Sequence, residues 1–278
     1  MRNILLTGIV FSFFAGLAAG QTYAPMSLAV LSGRASDDAA VVDTRAPLLS
    51  EPAPLPRMAP ELALQAYHGR AIIQAQQLAG YSAVTIIHAE LPDTSQFGEY
   101  ELERHYAAPH NLQFTAVRYI GDGFVKTNVI GRLLQSEVDH VKQDDGALTA
   151  INNKNYKFSY KGSSQIDGRV CHVFQVKPHK KRPGLFKGKI YLDAYTGSLV
   201  RTEGAIVKSP SFFIKKVEFI QDYVDVGNFT FPLHVHSDAR ARVIGRTVVD
   251  IYHRAYQPVT AIVQTASQGS SSAVVSSQ

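Results

Sequence analysis

The sequence predicts an α+β protein in which a large curved antiparallel sheet forms an unclosed β-barrel, with helices covering its concave side. Three observations support this class. Runs of alternating polar and apolar residues recur along most of the chain, turn residues separate these runs, and two segments with helical spacing interrupt them. With 45% hydrophobic and 18% charged residues, the chain has enough apolar material for a folded core.

The N-terminus has the pattern of a secretory signal peptide. A positively charged start, Met1-Arg2-Asn3, precedes an apolar run, and Ala18-Ala19-Gly20 places small residues before a predicted cleavage at Gln21. The apolar run is shorter than the ~20 residues that a spanning helix needs, so we favour a signal peptide over a membrane anchor. We therefore assign residues 1–20 to a signal peptide and expect a periplasmic or secreted protein.

Two segments of biased composition flank the predicted fold. Residues 21–60 are poor in aromatics and rich in Ala, Ser and Pro, which is typical of a flexible tether. Residues 261–278 are rich in Ser and Gln, and we predict that they form a disordered tail. The folded domain is therefore expected to span residues 61–260.

The first half of the domain is predicted to contain two helices and three strands. Residues 61–78 have helical spacing, in which one stripe is flanked by further apolar residues. The stripe contains Leu62, Ala66, Ile73 and Gln77, and Leu64, Tyr67 and Ala71 lie beside it. The period then changes to two. Strands are predicted over residues 82–91, 98–106 and 112–120.

A second helix is predicted over residues 128–142. Its predicted faces are apolar on one side and polar on the other. The apolar face contains Ile130, Leu133, Leu134, Val138 and Val141, and the polar face contains Gln135, Glu137, Asp139 and Lys142. Such a stripe has to be buried, and the concave side of the sheet is available for it.

From residue 156 onward the pattern predicts only antiparallel strands. A hairpin with Thr196-Gly197 at its turn is the clearest signal among them. The predicted strands cover residues 156–160, 170–177, 189–193, 198–208, 212–224, 231–242 and 246–256. A sheet of this size leaves room for a ligand inside unless the helices fill it.

This order of elements resembles the periplasmic lipoprotein-carrier fold. The stretches GKIYLDAYTGSLVRTEG, KSPSFFIKKVEFIQDY and VGNFTFPLHVHSDARARVIGRTVVDIYHRAYQ carry the closer similarity. Residues 61–256 resemble outer-membrane lipoprotein-sorting proteins and related lipid-binding sensor domains. The resemblance implies an apolar cavity for acyl chains under a helical lid. In those carriers the second long strand often ends in Arg-Pro, whereas Ala107-Ala108-Pro109 stands here.

We therefore predict a non-enzymatic, exported binder or carrier of an apolar ligand in the cell envelope. Its cargo would be a lipid or an acylated protein, and we expect a monomer with no cofactor and no nucleic-acid partner. The predicted cavity and lid residues are Tyr100, Leu102, Arg104, Tyr106, Leu112, Phe114, Ile130, Leu133 and Leu134. Arg104 shares strand parity with apolar residues, so it would contact a head group, latch the lid, or reach water at the barrel rim.

A basic loop suggests a second function hypothesis. Lys180, Lys181 and Arg182 follow one another in a predicted hairpin loop. Such a loop is either a solvated surface or a contact to an envelope protein, another anionic partner or a membrane surface. The alternative to a carrier is an envelope protein-interaction or stress-sensing module of the same fold that uses this loop.

A third hypothesis is a metal-dependent hydrolase. His234 and His236 are two apart on a predicted strand, Asp238 shares their face, and His253 lies on the next strand. Imidazole and carboxylate groups on adjacent strands could bind zinc. A solvent-facing polar row explains the same pattern, so we assign no metal ligand and no catalytic residue.

The single cysteine, Cys171, excludes an internal disulfide. It lies in a strand-like run, and we expect a buried small hydrophobe rather than a reactive thiol. The formal net charge is +5, a modest excess that is concentrated partly around the basic loop.

Overall fold

The computed structural model describes residues 56–143, 146–208, 214–242 and 244–261. Its regular elements begin at Pro60 and end at Thr260. The predicted signal peptide (1–20), nearly all of the predicted tether (21–60) and all but the first residue of the predicted tail (261–278) lie outside the described residues.

The described strands form one antiparallel sheet. They are β1 (Leu78–Leu91), β2 (Gln96–Ala107), β3 (Asn111–Gly121), β4 (Tyr156–Ile166), β5 (Arg169–Pro178), β6 (Phe186–Asp193), β7 (Leu199–Ile206), β8 (Ile214–Val226), β9 (Phe229–Ala241) and β10 (Gly245–Thr260). Their order across the sheet is β3-β2-β1-β10-β9-β8-β7-β6-β5-β4. Since β3 and β4 lie at opposite edges, the sheet is unclosed, and the predicted fold class is confirmed.

Helices lie in the N-terminal half of the described chain. They are α1 (Pro60–Gln77), α2 (Gly123–Val125), a π-helical turn (Lys126–Ile130), α3 (Gly131–Gln143) and α4 (Gly146–Thr149). Pro60 begins α1 at a position where its missing N–H costs nothing. The second predicted helix was expected to begin at residue 128, but helical structure begins at Gly123, and the π-helical turn leads into α3. Within the described residues, no helix is both long and apolar enough to cross a membrane.

Side chains of β1 and β2 alternate between a covered and an open face. On β2, Leu102, Arg104 and Tyr106 are buried, whereas Glu103 and His105 between them are exposed. The period of two therefore places one side of the strand against the helices and the other toward solvent. We call the side covered by α1 and α3 the covered face, and the other side the outer face.

Helix α1 packs on the half of the sheet that runs from β4 to β8. Its Tyr67 is buried in a cluster with side chains of β5, β7 and β8. Arg70 donates to Asp225, and Gln74 exchanges two hydrogen bonds with the backbone of Thr230. The predicted stripe is therefore wrong. Leu62 and Ile73 are exposed, because these polar contacts to the β8–β9 hairpin turn the helix so that its 67-70-74 side faces the sheet.

The turn between β6 and β7 contacts α1 closely. Gly197 has φ of 67°, and a Cβ there would lie 2.6 Å from the Cβ of Ala66. Asp193 closes the turn by accepting hydrogen bonds from the backbone N–H groups of Tyr195 and Thr196. The β6–β7 hairpin, which was the clearest strand signal in the sequence, therefore forms part of the sheet and contacts α1.

Candidate functional site

The predicted cavity and lid residues come together beneath α3. Leu102 of β2 is buried against Ile130 and Leu133 of the helical cover. Tyr106 and Leu112 belong to an adjoining apolar cluster. Side chains that border these clusters are partly buried; they are Tyr100, Phe114 and Leu134. The arrangement therefore juxtaposes strand residues predicted to line a cavity with helix residues predicted to cover it.

A buried ion pair joins α3 to β2 in the middle of this region. Arg104 Nη1 lies 2.6 Å from Glu137 Oε2, and the two side chains are only 7% and 10% exposed. Arg104 Nε also donates to the hydroxyl of Tyr81 at 3.0 Å, and the guanidinium lies 5.3 Å from the ring centroid of Phe114. Arg104 therefore holds the helix on the covered face and does not reach the rim.

The electrostatics of this pair favour the charged guanidinium. Burial, the largest single effect, lowers the pKa of Arg104, but Glu137 together with Tyr81 and Tyr256 outweighs it and the pKa is raised. A buried charge is tolerated when a hydrogen-bonded opposite charge accompanies it. The ion pair is thus a polar contact that holds α3 to β2 between two apolar clusters.

Glu137 is the residue of this site that the sequence prediction misplaced. It was assigned to the wet face of the helix, but it is 8% exposed and faces the sheet. The signal was present in the spacing, because Leu133, Glu137 and Val141 are four residues apart and all three are buried. The charge of Glu137 suggested a solvent-exposed position, although its spacing along the helix places it on the buried stripe.

His253 belongs to the covered face. Its ring lies 3.0 Å from the hydroxyl of Thr85, both groups being buried. Burial, with a contribution from the charge of Arg104, lowers the pKa of His253 to about 3. The imidazole is therefore neutral near pH 7 and is part of the interior.

His234 and His236 lie on the outer face, so the histidine triad of the hydrolase hypothesis does not form. Both side chains bond to the same oxygen of Asp250, each at 2.9 Å, while His253 points to the other side of the sheet. Strand alternation separates them, because His234 pairs with Tyr252 and not with its neighbour His253. Within the described residues, no group of three or more His, Cys, Asp or Glu side chains is placed to hold a metal ion.

The cluster of Asp250 with its two histidines is a surface polar network. Burial would raise the pKa of Asp250, but hydrogen bonds from His236 and His234 outweigh it and the pKa is lowered. His234 also stacks on Tyr252 with ring centroids 4.4 Å apart. This network gives the outer face of the central strands a polar, ordered surface.

The predicted basic loop lies between β5 and β6. Lys180 and Lys181 are exposed. Arg182 is half-buried, and it donates to the side-chain oxygen of Asn155 at 2.8 Å and to the backbone oxygen of Leu148 at 3.3 Å. Arg182 therefore fixes the loop against the neighbouring chain, while the two lysines face solvent.

Cys171 is buried on the outer side of β5. Burial and the nearby charge of Asp193 raise the pKa of its thiol to about 11. A thiol of this kind is a poor nucleophile near neutral pH. The side chain therefore serves as a small apolar packing group.

No protein-family model matches the chain, and no curated protein matches it. Solved structures that resemble it include a LolA superfamily protein from Nitrosomonas europaea, with 8% identity over 72% of this chain and 93% of that one and a TM-score of 0.35. The lipoprotein LppX of Mycobacterium tuberculosis has 8% identity, coverage of 72% and 98%, and a TM-score of 0.27. MucB in the Pseudomonas aeruginosa MucA/MucB complex has 12% identity, coverage of 72% and 99%, and a TM-score of 0.23.

The expected resemblance to lipoprotein-sorting proteins is thus confirmed, in that a LolA superfamily protein and a putative outer-membrane lipoprotein-sorting protein domain are among the solved structures similar to the chain. At these identities and TM-scores the similarity says nothing about ligand or partner. The strand order and the helices on the covered face define the architecture independently of it.

Proposed function

We propose that the chain binds an apolar ligand between α3 and the covered face and carries it, without catalysing a reaction, in the cell envelope. The main support for this proposal is the way in which α3 is attached to the sheet. The helix covers two apolar clusters and is fastened to β2 by the buried pair of Arg104 and Glu137. A cover that lies over apolar surface and is held to the strand beneath it through a buried ion pair is suited to being displaced by a ligand.

The energetics favour an acyl chain as that ligand. Burying a CH₂ group is worth about 0.8 kcal/mol, so an acyl chain with ~14 methylenes gains on the order of 11 kcal/mol. That gain would offset the separation of α3 from the sheet. Release then requires α3 to close again or the cargo to be handed on, because such an affinity by itself retains the ligand. The proposed cargo is a lipid or an acylated protein.

The open sheet supports this proposal. Since β3 is an edge strand, no further described strand closes the sheet on the side of α3 where a ligand would enter. The proposed binding surface consists of the predicted residues under and within the cover: Tyr100, Leu102, Tyr106, Leu112, Phe114, Ile130, Leu133 and Leu134. Arg104 is proposed to latch the cover.

A tryptophan reporter tests the proposal directly, because the chain has no tryptophan of its own. Leu134→Trp places the reporter at the border of the apolar cluster beneath the cover. Leu62→Trp places it on the exposed side of α1 and is the matched control. The delipidated full-length variants are titrated with a brominated C16 fatty acid, which quenches tryptophan on contact.

We expect saturable quenching of the reporter at position 134 and little quenching of the reporter at position 62. Native mass spectrometry of the unmodified chain should show one or a few bound acyl chains. Equal quenching of both reporters, or the absence of any acyl-bound species, would sink the proposal.

The interaction-module alternative is favoured by one specific observation. The buried side chains of Leu102, Ile130 and Leu133 contact one another in this state, and an interior filled in this way needs no cargo. The same titration separates the two functions. An interaction module would show no saturable quenching at position 134, and charge reversal at Lys180 and Lys181 would abolish its partner binding.

A further inference from the structure

A row of lysines crosses the outer face at one end of the sheet. Lys157 of β4 lies directly opposite Lys177 of β5. The register of β5 with β6 reaches Val176 opposite Gly188, and one step further places Lys177 beside Lys187. With a strand spacing of ~4.8 Å, the row spans about 10 Å.

All three lysines are exposed on the side away from α1. Their chain neighbours Tyr156, Val176 and Phe186 are buried in the cluster beneath that helix. Strand alternation therefore directs the lysines outward. Among the described residues, none of the three forms an ion pair, whereas Lys189 in the same region pairs with Glu203 at 3.1 Å.

The row is unfavourable for folding, since like charges directly opposite one another on a sheet destabilise it. No structural role of the lysines offsets this cost within the described chain. Further positive charge lies at the same end of the strands, where Lys180 and Lys181 are exposed in the β5–β6 loop. The arrangement therefore concentrates cations that a partner of opposite charge would stabilise.

An apolar side chain accompanies the loop. Arg182, which follows the two loop lysines in the sequence, donates to the backbone oxygen of Leu148 in α4. The Leu148 side chain is 48% exposed. Lysines next to an exposed leucine match the interface of a bilayer, where cations meet head-group phosphates and an apolar side chain enters the acyl boundary.

The residue types favour a lipid surface over an acidic protein. Arginine is suited to bidentate recognition of a carboxylate, whereas lysine is a hydrated point charge on a flexible stem. The five exposed cations of this corner are all lysines, and the nearby Arg182 is engaged by Asn155. A diffuse array of this kind fits a laterally mobile layer of phosphates.

The row of lysines ends at the side of β6 that faces β7. A shallow groove of about 530 Å³ lies there over the backbones of Gly188 and Gly204. Lys187 lines this groove together with Glu203, which accepts hydrogen bonds from Lys189 and Tyr191, and with Glu218, which pairs with Lys216. The row of lysines therefore ends at Lys187, beyond which Lys189 and Lys216 are paired with carboxylates.

We propose that this corner is a docking surface for an anionic lipid bilayer. Its contacts are Lys157, Lys177 and Lys187 on the sheet, with Lys180 and Lys181 in the loop. The surface faces away from α1 and the covered face, so docking leaves the cover free to move. The inference stands independently of whether the chain carries a ligand.

Vesicle flotation tests the proposal with the full chain. The probes are vesicles of 30% phosphatidylglycerol in phosphatidylcholine and vesicles of phosphatidylcholine alone, at low and high salt. The test variant is Lys157→Gln with Lys177→Gln and Lys187→Gln. Each lysine near an anionic surface contributes about 1 kcal/mol, so the partition constant should fall on the order of 100-fold.

The control variant removes as many positive charges elsewhere on the surface. Arg118→Gln, Arg254→Gln and Lys142→Gln change exposed side chains of β3, β10 and α3. We expect this variant to bind anionic vesicles nearly as the unchanged chain does, and we expect binding to weaken at high salt. Thermal unfolding checks that the test variant folds, and removal of the like-charge row should leave its stability equal or higher.

Several results would overturn the proposal. One is the absence of binding to anionic vesicles by the unchanged chain. Another is equal loss in the test and control variants, which would indicate a net-charge effect only. Lysine-dependent binding to a soluble polyglutamate peptide without vesicle binding would assign the corner to an acidic protein partner instead.

Discussion

The ion pair beneath α3 gives a quantitative prediction. Glu137→Gln keeps the size of the side chain but removes the carboxylate that accompanies the buried Arg104 charge. Both side chains are at most 10% exposed, so solvent screens the pair little. Removing one partner of such a buried pair typically costs 3–5 kcal/mol. We therefore expect the free energy of unfolding to fall by about 3 kcal/mol, a large part of the 5–15 kcal/mol of a typical domain.

The assay is urea unfolding followed by fluorescence, with hydrogen exchange of the α3 amides as a local readout. Glu99→Gln is the matched control, because Glu99 pairs with Arg118 at 3.2 Å on the exposed outer face. An exposed pair contributes ~0–1 kcal/mol, so the control should change stability by less than 1 kcal/mol. Exchange in α3 should accelerate in Glu137→Gln and stay unchanged in Glu99→Gln.

A double replacement completes the test. Arg104→Met with Glu137→Leu removes both charges and keeps apolar volume, and such changes are commonly neutral or stabilising. The double variant should therefore recover most of the loss. If Glu137→Gln costs no more than Glu99→Gln, the pair is not a buried fastener and the latch proposed for the cover is wrong.

Four further predictions concern single positions of the chain. Because the pKa of His253 in the folded protein is depressed to about 3, the unfolded chain binds more protons than the folded chain between about pH 3 and 6.5. The free energy of unfolding should therefore fall as pH decreases through that window, by at most ~1.4 kcal/mol per pH unit. His253→Gln should flatten this pH dependence in urea titrations, and an unchanged slope would contradict the burial of a neutral His253. The Cys171 thiol should not react with an aromatic disulfide reagent at pH 8 until the chain is unfolded, and rapid reaction of the folded chain would show that it is accessible. Gly188→Ala should destabilise the sheet by ~1–3 kcal/mol, because a Cβ would collide with the carbonyl oxygen of Glu203. Gly69→Ala, in α1 with open space around it, should stabilise by about 1 kcal/mol. A Gly188→Ala midpoint that is not lower than that of the unchanged chain, or a Gly69→Ala midpoint that is not higher, would refute the corresponding expectation.

Strand placement was predictable from the sequence because alternation is a local signal. On β2 the residues from Glu99 to Tyr106 alternate without interruption, and the structure places them on two faces accordingly. The hairpin turn at Thr196-Gly197 was likewise visible, since Gly197 occupies a left-handed conformation. These features depend on backbone geometry and need no knowledge of distant contacts.

The misassigned features depend on contacts between distant elements. Glu137 was read as a wet residue because its partner Arg104 lies 33 residues away on another element. The rotation of α1 depends on Arg70, whose partner Asp225 is 155 residues away. A polar residue on a buried stripe can be recognised from sequence only when its distant partner is known as well.

The pairing of β1 with β10 has a consequence for how the chain reaches its folded state. β10 is the last strand of the described chain, yet it lies near the middle of the sheet and joins the β1–β3 meander to the strands that follow. Thr85 and His253, which meet across this seam, are 168 residues apart. Contacts so distant in sequence form slowly. The backbone pairing that joins the two halves of the sheet therefore cannot form during synthesis until the final strand has emerged, and a chain that stopped before Gly245 would lack this seam.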